Sequence, residues 1–158
     1  MPRRLQAGLT LVELLIGVAI AALLLALGAP YYGDYIINSR LREGGTAVLT
    51  ETMYVRSEAI KRNGTVRLAI DGANMTVTDF SADANGVIVR QTRLAEGINA
   101  GSVTIDFGAR GTPIPFGTAS ETNLSYAGTT CSATFRCPGL RVDGAGGIRL
   151  CGNHLSSC

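Results

Sequence analysis

The sequence predicts an α+β fold, one long N-terminal helix packed on antiparallel β-strands. Three observations predict it. Residues 9–29 form an apolar run that holds a single carboxylate, Glu13. An apolar stripe at helical period follows, from Leu41 to Ala59. After Thr65 the pattern changes to short alternating runs divided by Gly, Asn, Asp and Pro.

The apolar run matches the roughly 20 residues that a helix needs to cross ~30 Å of hydrocarbon. Arg3 and Arg4 precede it, so the positive-inside rule keeps the leader cytoplasmic and sends the rest outward. A secretory signal peptide would carry its small-residue cleavage site after the apolar stretch. No A-x-A-like site follows Ala29, and the cut is expected before the run, between Gly8 and Leu9. Glycine at that position leaves no side chain to obstruct an extended backbone in a protease groove. The membrane helix then stays on the processed chain.

Glu13 is costly in hydrocarbon unless it is paired. The run offers it no cation, but a cut after Gly8 creates an amine at Leu9, four residues upstream. That amine pairs with Glu13 of its own chain or of a neighbour, and the second choice turns a burial penalty into an assembly signal. Pro30 lacks an amide hydrogen and frees the carbonyl of Ala26, so a kink or local melting is expected near residues 23–30.

Beyond Pro30 the helix continues to about residue 63. Leu41, Gly45, Val48, Thr52, Val55 and Ala59 recur at steps of four and three, with Leu49, Met53 and Ile60 beside them. Arg40, Arg42, Glu43, Glu51, Arg56, Glu58, Lys61 and Arg62 fall mostly on the other face, and Glu58 and Arg62 stand four apart in the favourable order. Asn63-Gly64 is the stop signal. Candidate strands are 65–70, 75–79, 86–93, 102–107, 122–127, 140–143 and 148–151. Asp71-Gly72, Asn85-Gly86 and the run from Asp143 to Gly147 mark turns, and 108–120 reads as an irregular loop.

The organisation is therefore a leader at 1–8, a membrane helix at 9–30, and an exported domain at 31–158 made of an amphipathic helix, 31–63, and a β-region, 65–158. The formal net charge is +2, and loss of the leader leaves 12 basic and 12 acidic side chains. Bulk charge thus gives no reason for strong nonspecific binding to nucleic acid or acidic lipid. Cys131, Cys137, Cys151 and Cys158 lie in the last thirty residues. An even number in an exported domain predicts two disulfides. Short loops close most easily, which favours Cys131–Cys137 and Cys151–Cys158, with Cys137–Cys151 as the rival. Zinc is the competing use of four thiols, disfavoured by the lack of paired CxxC spacing.

No enzymatic pattern emerges. His154 is the only histidine and sits in the cysteine-rich tail. P-loop, HExxH and GxSxG motifs are missing. Asp71, Asp79, Asp83 and Asp106 are dispersed among turns and strands, which gives no support to a calcium site. No cofactor or metal is expected.

The block Gly8-Leu9-Thr10-Leu11-Val12-Glu13-Leu14 resembles the class III leader junction of type IV pilins and type II secretion pseudopilins. Those families commonly place a proline where Pro30 stands. The resemblance implies cleavage between Gly8 and Leu9 by a prepilin peptidase and N-methylation of Leu9, although the usual first residue is Phe. Residues 55–64 (VRSEAIKRNG) resemble the helix end of the GspH/FimT family of pseudopilins and minor pilins. Residues 103–111 resemble its strand-then-glycine pattern, and 140–151 its final hairpin. What this implies is a type IV pilin-like fold and a low-copy subunit near the tip of a type II secretion pseudopilus or a type IV pilus. Its partners would be other pilins of the filament, the prepilin peptidase and the inner membrane, crossed once, with the domain in the periplasm.

Some members of the FimT branch bind DNA through a Gly-Arg-x-Arg motif used in natural transformation. The matching positions here are Gly146-Gly147-Ile148-Arg149, so the first arginine is replaced by Gly147. Arg149, with Arg141 and Arg136 as supplements, is the candidate contact to DNA. A third reading is a membrane-anchored periplasmic domain that does not polymerise. The leader and Glu13 favour a filament subunit over this one, and a lone Arg149 favours filament assembly over DNA uptake.

Overall fold

The computed structural model describes residues 10–156, with the side chains of residues 29 and 30 left aside. Residues 1–9, with the expected cut at Gly8 and Leu9, lie outside the described residues, as does Cys158. One helix, α1 (Leu11–Arg62), precedes seven strands: β1 (Val66–Gly72), β2 (Asn74–Asp79), β3 (Val87–Arg93), β4 (Ile98–Phe107), β5 (Ser120–Tyr126), β6 (Gly139–Val142) and β7 (Ile148–Cys151). The chain divides into two compact units between Tyr35 and Ile36.

The first unit is helical from Leu11 onward. Thr10 caps it: its Oγ1 accepts the Glu13 amide at 3.3 Å, and its carbonyl accepts the Leu14 amide at 3.1 Å. Thr10-Leu11-Val12-Glu13 fits the S/T-x-x-E pattern of a helix start, so Glu13 occupies the third helical position. Leu11–Gly28 is long and apolar enough to cross a bilayer, and none of it is buried. The backbone stays helical through residues 23–30, so the local melting expected at Pro30 is not seen. A proline removes only one ladder bond of its own, and the turns on either side keep theirs.

In the second unit the expected stripe packs on the sheet. Leu41, Val48, Thr52, Val55 and Ala59 are fully buried against Val66, Leu68, Ile70, Val77, Ile105, Phe107 and Leu140. Each such aliphatic side chain stabilises the fold by roughly 1.5–3 kcal/mol. Gly44 and Gly45 let α1 approach closely, since a Cβ on Gly45 would sit 2.8 Å from Pro138 Cβ and one on Gly44 2.9 Å from Ile98 Cγ2. The stripe is narrower on one side than expected. Met53 and Ile60 are half exposed, at 51% and 49%, whereas Glu51 and Glu58, expected mostly outside, are buried. Asn63 ends the helix at φ 51°, its amide bonded to Ile60 O and the Gly64 amide to Ala59 O. This left-handed stop satisfies two terminal carbonyls.

The sheet order is β3-β2-β1-β4-β5-β6-β7, every neighbour antiparallel. After the β1-β2-β3 meander the chain crosses the end of the β1–β2 hairpin, where the Leu94 amide bonds Ala73 O at 2.8 Å, and β4 pairs with β1. β4 begins four residues earlier than the alternation predicts. Its first residues pair with β5 (Ile98↔Tyr126, Asn99↔Ser125, Ala100↔Leu124), while the rest pairs with β1. That short joint links β3-β2-β1-β4 to β5-β6-β7. Residues 108–119 form the expected irregular loop, held by the Ile114 amide on Asp106 O and the Gly108 amide on Thr112 O.

Buried charges close the far end of α1. Arg62 Nε lies 2.8 Å from Glu58 Oε2 and its Nη1 2.7 Å from Asp79 Oδ2. The Arg62 hydrogen bond holds the Glu58 carboxyl below its ordinary range. The Ser81 amide and then Arg62 do the same for Asp79, and both acids raise Arg62. On the outer face Arg67 makes a two-point bridge to Asp106 at 2.7 and 2.9 Å, which raises Arg67, and stacks 4.8 Å over Phe80.

Candidate functional site

Glu13, the expected assembly residue, stands at the described edge of the helix. Glu13 is exposed, stands in the first turn of α1, and is followed by apolar residues that are themselves exposed through Gly28. Its own amide is taken by Thr10 Oγ1. The helix N-terminus is electropositive and favours a carboxylate there. Sequence reasoning assigned Glu13 to pairing with an amine and overlooked the Thr10 cap, which the S/T-x-x-E spacing signals.

The three candidate arginines do not form one cluster. Arg141 on β6 and Arg149 on β7 are directly opposite in register, and Glu121 on β5 is opposite Arg141. Arg141 Nε pairs with Glu121 Oε2 at 3.1 Å and its Nη1 donates to Asn123 Oδ1 at 2.8 Å. Alternation puts Leu140 and Leu150 on the helix side of these strands and the arginines on the other. Arg136 belongs to the helix side. Its amide donates to Asn38 Oδ1 at 3.0 Å, and with Arg42 and Leu150 it lines a groove of about 700 Å³. Arg149 is thus exposed and makes no ion pair among the described residues, Arg141 is already neutralised, and Arg136 lies elsewhere.

Cys131 and Cys137 form a disulfide, as the short-loop argument predicts, which removes the rival Cys137–Cys151 bridge. Cys151 is disulfide-bonded too, and its expected partner Cys158 lies outside the described residues. His154 is not a loose tail residue: its amide and Nδ1 both contact Cys137 O, at 2.7 and 3.1 Å. Cys131, Cys137 and His154 stand within 4.8 Å of one another, but the two sulfurs are bonded together and neither is a thiolate ligand.

Comparison with known proteins completes the picture. Residues 3–29 match the prokaryotic N-terminal methylation motif, and residues 46–154 match the family described as type II transport protein GspH. The chain belongs to the GspH family. It is a pilin-like protein of the minor pilin and pseudopilin kind. Solved structures that share its fold include a minor pilin and a minor pseudopilin. The type IV minor pilin FimU of Pseudomonas aeruginosa is 19% identical, with a TM-score of 0.59 over 71% of this chain and 88% of that one. The minor pseudopilin EpsH from the type II secretion system of Vibrio cholerae is 14% identical, with a TM-score of 0.59 over 77% of this chain and 99% of that one. No match was found among curated protein sequences. The GspH-family match spans α1 from Thr46 and all seven strands, while the methylation motif covers the leader and the apolar helix around Glu13.

Proposed function

We propose that this GspH-family chain is a low-copy structural and assembly subunit near the tip of a type II secretion pseudopilus or a type IV pilus. A prepilin peptidase cuts between Gly8 and Leu9, and Leu9 is methylated. The chain waits in the inner membrane, crossing it once with its leader cytoplasmic and its domain periplasmic. It enters the filament when Glu13 takes the Leu9 amine of an adjacent subunit.

The observation that carries this reading is the lone carboxylate at the head of an exposed apolar helix, Glu13 before Leu14–Gly28, inside a matched methylation motif. A plain membrane anchor gains nothing from an acid there, whereas a filament subunit gains a partner for each new amine. The arrangement gives less support to DNA uptake, since Arg149 has no free arginine beside it: Arg141 is held by Glu121, and Arg136 lies on the helix side. Glu13→Leu is the test. It makes the run more apolar, so membrane insertion is expected to persist while crosslinking to other pilins is lost. Crosslinking of Glu13→Leu at the normal level would contradict the role given to Glu13.

A further inference from the structure

A groove of about 670 Å³ runs between α1 and β3, with Arg42, Thr46, Glu51, Arg90, Thr92 and Arg93 on its walls. Glu51 is only 4% exposed, and half of its carboxylate is satisfied. Oε1 takes Arg90 Nη2 at 3.0 Å, while the buried Oε2 has no hydrogen-bond partner. The Arg90 guanidinium is fixed in turn, 5.0 Å above the Tyr54 ring. On the opposite wall Thr92 Oγ1 is also buried and unpartnered. Buried polar atoms almost always have partners, and these two orphans sit on side chains that line one groove, where an occupant that turns them outward would supply the missing hydrogen bonds.

Three features define that occupant. β3 is the last strand on its side of the sheet, with Val87 and Ile88 each 58% exposed, so its outer backbone groups are open to another strand. Glu51 Oε2 calls for a cationic or amide donor. Arg42 and Arg93 at the rim are exposed and make no ion pair among the described residues, so they call for acids. Water alone would answer the second feature and leave the other two.

We propose that this groove receives an extended segment of a neighbouring filament subunit. The segment adds to the free edge of β3, draws the buried Glu51 carboxylate outward onto a lysine or arginine, and turns flanking carboxylates toward Arg42 and Arg93. The proposal deepens the filament reading and rests on it. It assigns the domain its own contact, separate from the one made by Glu13.

The test is photocrosslinking of the full chain in cells that make its companion pilins, with the photoreactive residue at Thr46 or at Val87. Both positions are expected to yield an adduct with a protein that carries a pilin leader. Glu51→Gln, which keeps the shape of the side chain, should lower the yield about tenfold, as losing one member of a buried charge pair does. Arg93→Glu, on the exposed rim, should lower it as well, and Glu121→Gln on the far face should not. A chain present in sheared filaments that gives no adduct, gives one indifferent to both substitutions, or gives one only with a protein lacking a pilin leader would overturn the groove assignment alone. A chain absent from filaments would overturn the filament reading and this proposal together.

Discussion

The two halves of α1 use the same apolar residue types for opposite ends. From Leu11 to Gly28 the leucines, isoleucines and valines are exposed all round, with one acid at the start. From Leu41 to Ala59 only one stripe is apolar, and it is fully buried on the sheet. The first pattern calls for a solvent other than water, which the proposed function supplies as lipid before assembly and neighbouring helices after it. The second calls for a sheet supplied by its own chain. Substitutions of equal size in the two halves should therefore fail in different assays.

The largest effect is expected in the core. Phe107→Ala, at a fully buried position beneath the helix, should destabilise the domain by about 3–5 kcal/mol. Leu15→Ala removes comparable apolar surface from the exposed half and should leave the thermal midpoint of the domain unchanged. Thermal melts of both full chains in detergent check the contrast, and equal losses of stability would break it.

Opening the Cys131–Cys137 loop comes next. Replacing both cysteines by serine removes a cross-link across a sequence separation of 6, and a loop that short should cost about 2 kcal/mol. The same melts measure this. Its consequence is confined to the second unit, because the loop is tied to α1 through Asn38, which bonds the Arg136 amide and Thr134 O.

Acid should act through the end of the helix. Glu58 and Asp79 are held below their ordinary carboxylate range, so they bind fewer protons folded than unfolded. Their contribution is complete above the ordinary range and fades as pH falls below about 4 toward their depressed values. Arg62→Met removes the shared cation, and its stability should fall less steeply than the wild type's between pH 5 and 3. Parallel slopes would show that the cluster is not the acid-sensitive element. The smallest effect is expected at Arg149. Duplex DNA should bind weakly at ~150 mM salt, because few phosphate contacts give a shallow salt slope, and Arg149→Ala should change it little. Submicromolar binding lost on that substitution would make DNA uptake the leading function.

Much of this was legible in the sequence because periodicity reports burial directly. Each of the seven strands overlaps a run that alternation and turn residues mark, although β4 begins four residues early, and Asn63 stops the helix as its left-handed tolerance suggests. The β1–β2 turn is one residue late, at Gly72-Ala73, with Asp71 paired to Asn74. What escaped is what depends on partners distant in sequence. The start of β4 reads as loop because Asn99-Ala100-Gly101 lacks β-branched residues, yet β5 supplies its ladder. Glu51 and Glu58 look like surface charges until Arg90 and Arg62 come across to meet them. Arg136 and Arg141 looked like companions of Arg149, and only the fold sends one to the helix side and pairs the other with Glu121. The motif that holds Gly8 and Glu13 was readable as a block, since it is local to the chain.

The role proposed for the N-terminal half of α1 is that of a processed filament helix rather than a fixed anchor. Intact-mass analysis of the chain extracted from membranes of a host with an active prepilin peptidase tests this most directly. The expected species is a chain that begins at Leu9 and carries one added methyl group. A stable chain that retains residues 1–8 in such a host would contradict it.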